Sequence, residues 1–205
     1  MNEIEMTTLE SILKAAREEF LEKKYSGASL RVIAKKAGVT TGALYGYFRN
    51  KEELFEALVG KEYQYMISLY RDILCKFSKL SPEEQQTKMM EYTMQGISEM
   101  VHYMYKEKDT FKMILCCAEG TKYSQLIHEM AALDVEATHD FARATCEIGT
   151  SVKKVNSNLE HILTSGMFTA FFELIVHDIP REEADEYVEQ MINFYSAGWA
   201  KIMGL

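Results

Sequence analysis

The sequence predicts an all-α protein of about nine helices, with three short N-terminal helices, a long fourth one and a larger helical body. Three observations carry this. Apolar residues recur at helical spacing along the whole chain, with no alternating strand pattern and no internal repeat. There are only two prolines, Pro82 and Pro180, which suits long uninterrupted helices. The stretch VTTGALYGYF at 39–48 reads as a short helix holding two glycines and two exposed phenols. An interior glycine costs a helix up to about 1 kcal/mol relative to alanine, so this stretch serves something besides stability.

The elements follow in order. Leu9, Ile12, Leu13, Ala16 and Phe20 fall on one helical face, with Thr7 and Glu10 as a capping box and Gly27 as a stop. Leu30, Ile33, Ala34 and Ala37 repeat the pattern in a second helix, capped by Ser29 and closed by Gly38. Thr40 caps a third, anchored by Leu44 and Phe48. Asn50 and Glu53 open a fourth to about Phe77, roughly 40 Å long at 1.5 Å per residue, reaching from one body into another. Ser81-Pro82-Glu83-Glu84 opens a fifth, Asp109 or Thr110 a sixth to about Ala118, and Lys122 a seventh to Ile148. Ser157 with Glu160 reads as a further capping box for a helix to His177, and Pro180 starts the last, to about Met203. The expected domains are 6–60 and 61–205.

Charge narrows the class. The chain carries −8 overall, yet residues 23–51 hold seven basic side chains and no acid, while residues 52–205 hold 14 basic and 25 acidic ones. A basic patch on an acidic body is the footprint of a local anionic contact. No run approaches the roughly 18 apolar residues of a membrane span, and MNEIEMTTLE is too acidic for a signal peptide, so the expected location is the cytoplasm. Cys75, Cys116, Cys117 and Cys146 show no metal-type spacing and read as reduced thiols. Glu136, His139 and Asp140 share a helix face but read as solvated, so no metal and no cofactor are expected. No nucleophile elbow, phosphate loop or HExxH stretch is present, which argues against an enzyme.

Helices two and three carry the chemistry. The spacing Ala34, Gly38, Leu44 suits a helix-turn-helix, in which a small residue allows close crossing and a glycine the tight turn. The second helix of such a unit enters the DNA major groove. Gly42 and Ala43 keep bulk off the groove floor, Thr40 and Thr41 offer hydroxyls, and Tyr45, Tyr47 and Lys51 can reach phosphates. Gly46 reads as a close helix contact.

The stretch from Leu9 to Leu58, especially SLRVIAKKAGVTTGALYGYFRNKEEL at 29–54, resembles the N-terminal domain of the TetR (tetracycline-repressor-type) family of bacterial transcriptional regulators. The resemblance implies a homodimer, a near-palindromic double-stranded DNA operator and a C-terminal domain that senses a small molecule. It carries DNA contacts to Ser29, Arg31, Thr40, Thr41, Gly42, Tyr45, Tyr47 and Lys51. It also suggests a pocket between helices four, five, seven and eight, lined by Met66, Tyr70, Met100, Met104, Phe141 and Phe171. The richness in Met, Tyr and Phe suits a largely apolar inducer.

Two runs at helical spacing carry more apolar surface than one intramolecular contact needs, and they predict a four-helix dimer interface. The expected interface residues are Leu163, Met167, Phe171 and Leu174 on one helix and Val188, Met191, Tyr195 and Trp199 on the other, with Gly166 and Gly198 allowing close crossing. The reading is thus a repressor released from DNA by a small inducer. The alternative is a DNA-binding interaction protein of the same fold, controlled by a partner protein. Gly60, midway along helix four, reads as a packing notch in preference to a hinge.

Overall fold

The computed structural model describes residues 7–149 and 152–204. Among them it is all-helical: α1 (Thr8–Gly27), α2 (Leu30–Lys36), α3 (Thr41–Tyr47), α4 (Lys51–Ser78), α5 (Pro82–Lys106), α6 (Lys108–Cys117), a 3-10 turn (Lys122–Gln125), α7 (Leu126–Glu147), α8 (Ser157–Val176) and α9 (Arg181–Met203). The caps largely explain the starts. Thr7 and Glu10 close a reciprocal capping box on α1, and Ser81 and Glu84 do the same on α5. Asn50 Oδ1 accepts the Glu53 N–H at 2.8 Å to open α4. Gly38, at φ 70°, makes the turn between α2 and α3 that a side chain would strain.

The chain divides into two compact units. The first contains residues up to Gln64 together with Lys108–Ser124. No contiguous division of the sequence anticipates that α6 groups with the N-terminal helices. Packing explains it: α1 lies against α6, Arg17 donates to Thr110 Oγ1 at 3.1 Å, and Lys122 pairs with Glu56 at 3.1 Å. An aromatic chain runs through the same unit, with Phe20 edge-on to Phe55 at 4.9 Å, Phe55 against Tyr123 at 5.9 Å and Tyr63 edge-on to Tyr123 at 5.3 Å. Lys24 breaks α1 with a left-handed φ of 57°, kinking its last turn.

The second unit holds Tyr65–Glu107 and the chain from Gln125 onward. Its core includes Met66, Met100, Met104, Met130, Phe168 and Ile175, all buried. Gly96 brings α5 against α4 so closely that a Cβ there would lie 2.8 Å from Ile73 Cγ2. Among the described residues α8 alone is long and apolar enough to cross a membrane. Its Phe168, Phe171, Phe172, Leu174 and Ile175 are buried in this unit, which accounts for that composition.

Three expected starts differ. Ser29 occupies the N-cap of α2 but its side chain makes no capping bond; its N–H instead meets Glu19 Oε1 at 3.4 Å. The expected helix from Lys122 begins as a 3-10 turn, and α7 proper starts at Leu126. Asn156, not Ser157, caps α8, because the side chain of Glu160 is turned inward to His139 and cannot close a capping box.

Candidate functional site

The α2–α3 pair places small and aromatic side chains on one exposed surface. Leu44 alone of α3 is buried, while Tyr45 and Tyr47 remain 52% and 48% exposed. Thr40 Oγ1 accepts the Ala43 N–H at 3.1 Å, so its hydroxyl caps α3 and keeps only its proton for an outside acceptor. Thr41 is half-buried; Gly42 and Ala43 are exposed. The expectation that Gly46 serves a close helix contact is corrected: a Cβ there would meet nothing within 4 Å. A Cβ on Gly42 would meet only Thr40 Oγ1, at 3.9 Å, an ordinary contact.

The basic segment is thinner than its sequence suggests. Lys36 is paired with Glu19 at 2.9 Å and Lys23 with Glu22 at 2.8 Å, neighbours supplied by α1. Arg31, Lys35 and Arg49 are exposed and have no ion pair with a described residue. Lys51 is turned inward. Its ammonium donates to the carbonyls of Tyr25 (2.6 Å), Ser26 (3.3 Å) and Ala28 (3.3 Å), and sits 4.7 Å from the Tyr25 ring centroid. Three protons meet three acceptors, so in this structure the Lys51 ammonium caps the end of α1, and the expected phosphate contact requires it to leave those carbonyls.

In the second unit all six expected inducer-lining residues, Met66, Tyr70, Met100, Met104, Phe141 and Phe171, are core side chains. Tyr70 donates to Asp134 and stands edge-on to Phe168 at 5.1 Å. Burial, and then the Asp134 charge, push the Tyr70 phenol well above its ordinary value. Burial also raises Asp134, against the opposing hydrogen bonds from Tyr70 and Thr164. The sequence reading missed Asp134. The signal was there, since it lies four residues after Met130 and seven before Phe141, on the buried stripe of α7. A pocket of about 420 Å3 opens in this unit on other residues, among them His139, Arg143, Lys153 and Glu160.

Of the expected interface residues, Phe171, Leu174 and Val188 are buried within the protomer. They lie on the inner faces of α8 and α9, so they are removed from the interface set. Leu163, Met167, Met191, Tyr195 and Trp199 are half-buried. The large exposed apolar side chains beside them are Phe194 (73%), Ile162 (64%), Leu159, Tyr187 and Ile202. Gly166 and Gly198 face open space within the chain. Phe194 was also missed, although it falls three residues after Met191 on the same helical face.

A short second helix, joined to its partner by a glycine turn and presenting small and phenolic side chains, forms a helix-turn-helix unit, the arrangement whose second helix can enter a DNA major groove. Residues 12–58 match the sequence profile of the bacterial regulatory proteins, tetR family. The repressor BepR of Brucella suis biovar 1 is 43% identical over 54 residues, covering 26% of each chain. The regulator UidR of Escherichia coli K12 is 25% identical over 115 residues, 56% of this chain and 53% of that one. The chain therefore spans about half or less of these relatives' lengths. Of solved structures, the regulator FadR of Bacillus subtilis, in complex with stearoyl-CoA, superposes with a TM-score of 0.60 at 17% identity, over 92% of this chain and 97% of that one. NalD, the secondary repressor of an efflux pump in Pseudomonas aeruginosa, superposes with a TM-score of 0.52 at 22% identity, over 91% and 94%. At such identities these two speak to the fold. Over residues 12–58 the chain is thus similar to the N-terminal domain of the bacterial regulatory proteins of the tetR family, and over most of its length it shares their fold.

Proposed function

We propose that the protein is a homodimeric repressor that binds a near-palindromic operator through α2 and α3 and is released by a small, largely apolar inducer. The observation that carries this is the open face of α3: Gly42 and Gly46 leave room for a groove floor, while Tyr45 and Tyr47 stand exposed, and the exposed Arg31, Lys35 and Arg49 have no ion pair with a described residue. In this reading Tyr45, Tyr47 and Arg49 meet phosphates, and Arg31, Thr41 and the Thr40 hydroxyl face base edges. Ser29, whose hydroxyl does not cap α2, adds a further contact. The dimer forms on the α8–α9 surface around Phe194, Ile162 and Trp199, and the inducer is received among Met66, Tyr70, Met100, Met104, Phe141 and Phe171.

A second reading, control by a partner protein, draws on the same exposed patch and on the dense burial of those six side chains. Fluorescence anisotropy with a library of duplexes tests the DNA reading. Arg31→Ala should relax preference at one base position, and Tyr45→Phe should weaken all duplexes about equally. Equal binding of every duplex by the unsubstituted protein would overturn it. Sedimentation of the protein alone separates the two readings, since a monomer at micromolar concentration leaves the patch for a partner.

A further inference from the structure

We propose that the pocket bounded by the C-terminal half of α7, segment 152–156 and the ends of α8 and α9 binds a small organic anion, a compact apolar body carrying a carboxylate or phosphate. It is a site apart from the core residues assigned to the inducer. Its volume, about 420 Å3, lies within the range of small-molecule sites. Ala142, Val155 and Met203 give it apolar walls.

The charge around it runs against the rest of the chain. In a protein of net charge −8, this pocket is lined by Arg143, Lys153 and Lys154. The one carboxylate in its lining, Glu160, is buried and already met by His139 Nε2 at 2.7 Å. Arg143 is partly spent on Asp140. Lys153 and Lys154 are exposed and have no described acid as partner, so they give the lining its positive charge.

The mouth is also built. The Lys153 N–H donates to the Met203 carbonyl at 2.8 Å, tying the segment to the end of α9. The left-handed Gly204 lies along the Lys153 stem, its would-be Cβ 3.6 Å from Cδ. Val155, also in the lining, is buried. Two lysines in a lining that is otherwise partly apolar suit an anion whose apolar body replaces water in the pocket.

Isothermal titration calorimetry of the full chain at low salt tests this with phenyl phosphate, benzoate and neutral benzyl alcohol. Both anions should bind at least about tenfold tighter than the alcohol. The double variant Lys153→Gln with Lys154→Gln should lose at least about tenfold for both anions at unchanged melting temperature, both side chains being exposed. The tighter of the two anions identifies the head group. Equal affinity for benzyl alcohol, or anion binding undiminished in the double variant, would overturn the assignment.

Discussion

Lys51→Met separates a structural lysine from a DNA-contacting one. The side chain spans from the first residue of α4 to the kinked end of α1, where the last carbonyls of a helix lack partners in their own ladder. Methionine keeps most of the stem and removes the ammonium. A hydrogen bond to a charged group contributes about 1.5–3 kcal/mol when well buried. Here one bond is short, two are 3.3 Å, and water can re-solvate the carbonyls, so the three together are worth about one such bond. The Tyr25 ring adds roughly 0.5 kcal/mol at this half-exposed position. The loss is therefore about 2 kcal/mol, or some 4–8 °C of melting temperature for a chain of this size. Thermal unfolding by circular dichroism, without DNA, reads it directly. If the variant melts within about 1 °C of the parent and its DNA salt slope falls by about 1, Lys51 contacts phosphate and the capping argument is wrong.

Two further substitutions probe the second unit. Burial raises Asp134, so the folded state holds its proton more tightly than the unfolded chain does. The ionised carboxylate then costs stability at neutral pH, and that cost fades as pH falls through the raised value and vanishes below the ordinary 3.8. Asp134→Asn, which keeps an acceptor for Tyr70, should raise the melting temperature near pH 7 by an amount that shrinks on acidification; a gain independent of pH would refute the burial account. Phe194→Glu, at a side chain 73% exposed, should leave the fold intact but weaken the proposed α8–α9 dimer. Burying each Phe contributes about 1.5–3 kcal/mol, and two-fold symmetry counts it twice, so the dissociation constant should rise at least a hundredfold. An unchanged constant by sedimentation would place the dimer elsewhere.

How much of this was legible follows from what each signal depends on. Helix starts set by local side chains, such as Thr7 with Glu10 and Ser81 with Glu84, were readable because both partners lie three residues apart. Ser157 failed for the opposite reason: a residue distant in sequence, His139, claimed the glutamate its box required. The same holds for charge. Counting gives seven basic residues at 23–51, but only folding shows that Glu19 pairs with Lys36 and that backbone carbonyls absorb Lys51. The apolar runs of α8 and α9 were visible as runs. Which side faced inward was not, because both faces are apolar, and so Phe171, Leu174 and Val188 were assigned to an interface when they are core. The α6 grouping was invisible for want of any local signal, resting as it does on contacts between residues 93 apart such as Arg17 and Thr110.

Gly60 shows how a single missing methyl can be read. A Cβ built there would lie 3.2 Å from Tyr123 Oη and 3.3 Å from Glu56 Cγ, both tighter than ordinary contact. The position is therefore a packing notch. Glu56 is a flexible exposed side chain and can move, but Tyr123 is held edge-on by Tyr63 and against Phe55, and is almost fully buried. Alanine gains about 1 kcal/mol of helix propensity, while forcing the phenol aside costs about 1–3 kcal/mol, so Gly60→Ala should be destabilising on balance. The phenol oxygen is itself buried, with no hydrogen-bond partner among the described residues, and burial, then the nearby Glu56, raise its pKa. Tyr123→Phe removes that hydroxyl at little cost, because no well-formed hydrogen bond to a described residue is lost. The oxygen is also the atom a Gly60 methyl would strike. In the double variant the methyl gains room, and alanine's helix propensity should then appear as net stabilisation. A double-mutant cycle thus should give a favourable coupling of about 1–2 kcal/mol between the two substitutions. Additive effects would mean that Gly60 is not filled by Tyr123, and a hinge role for the glycine would then regain its claim.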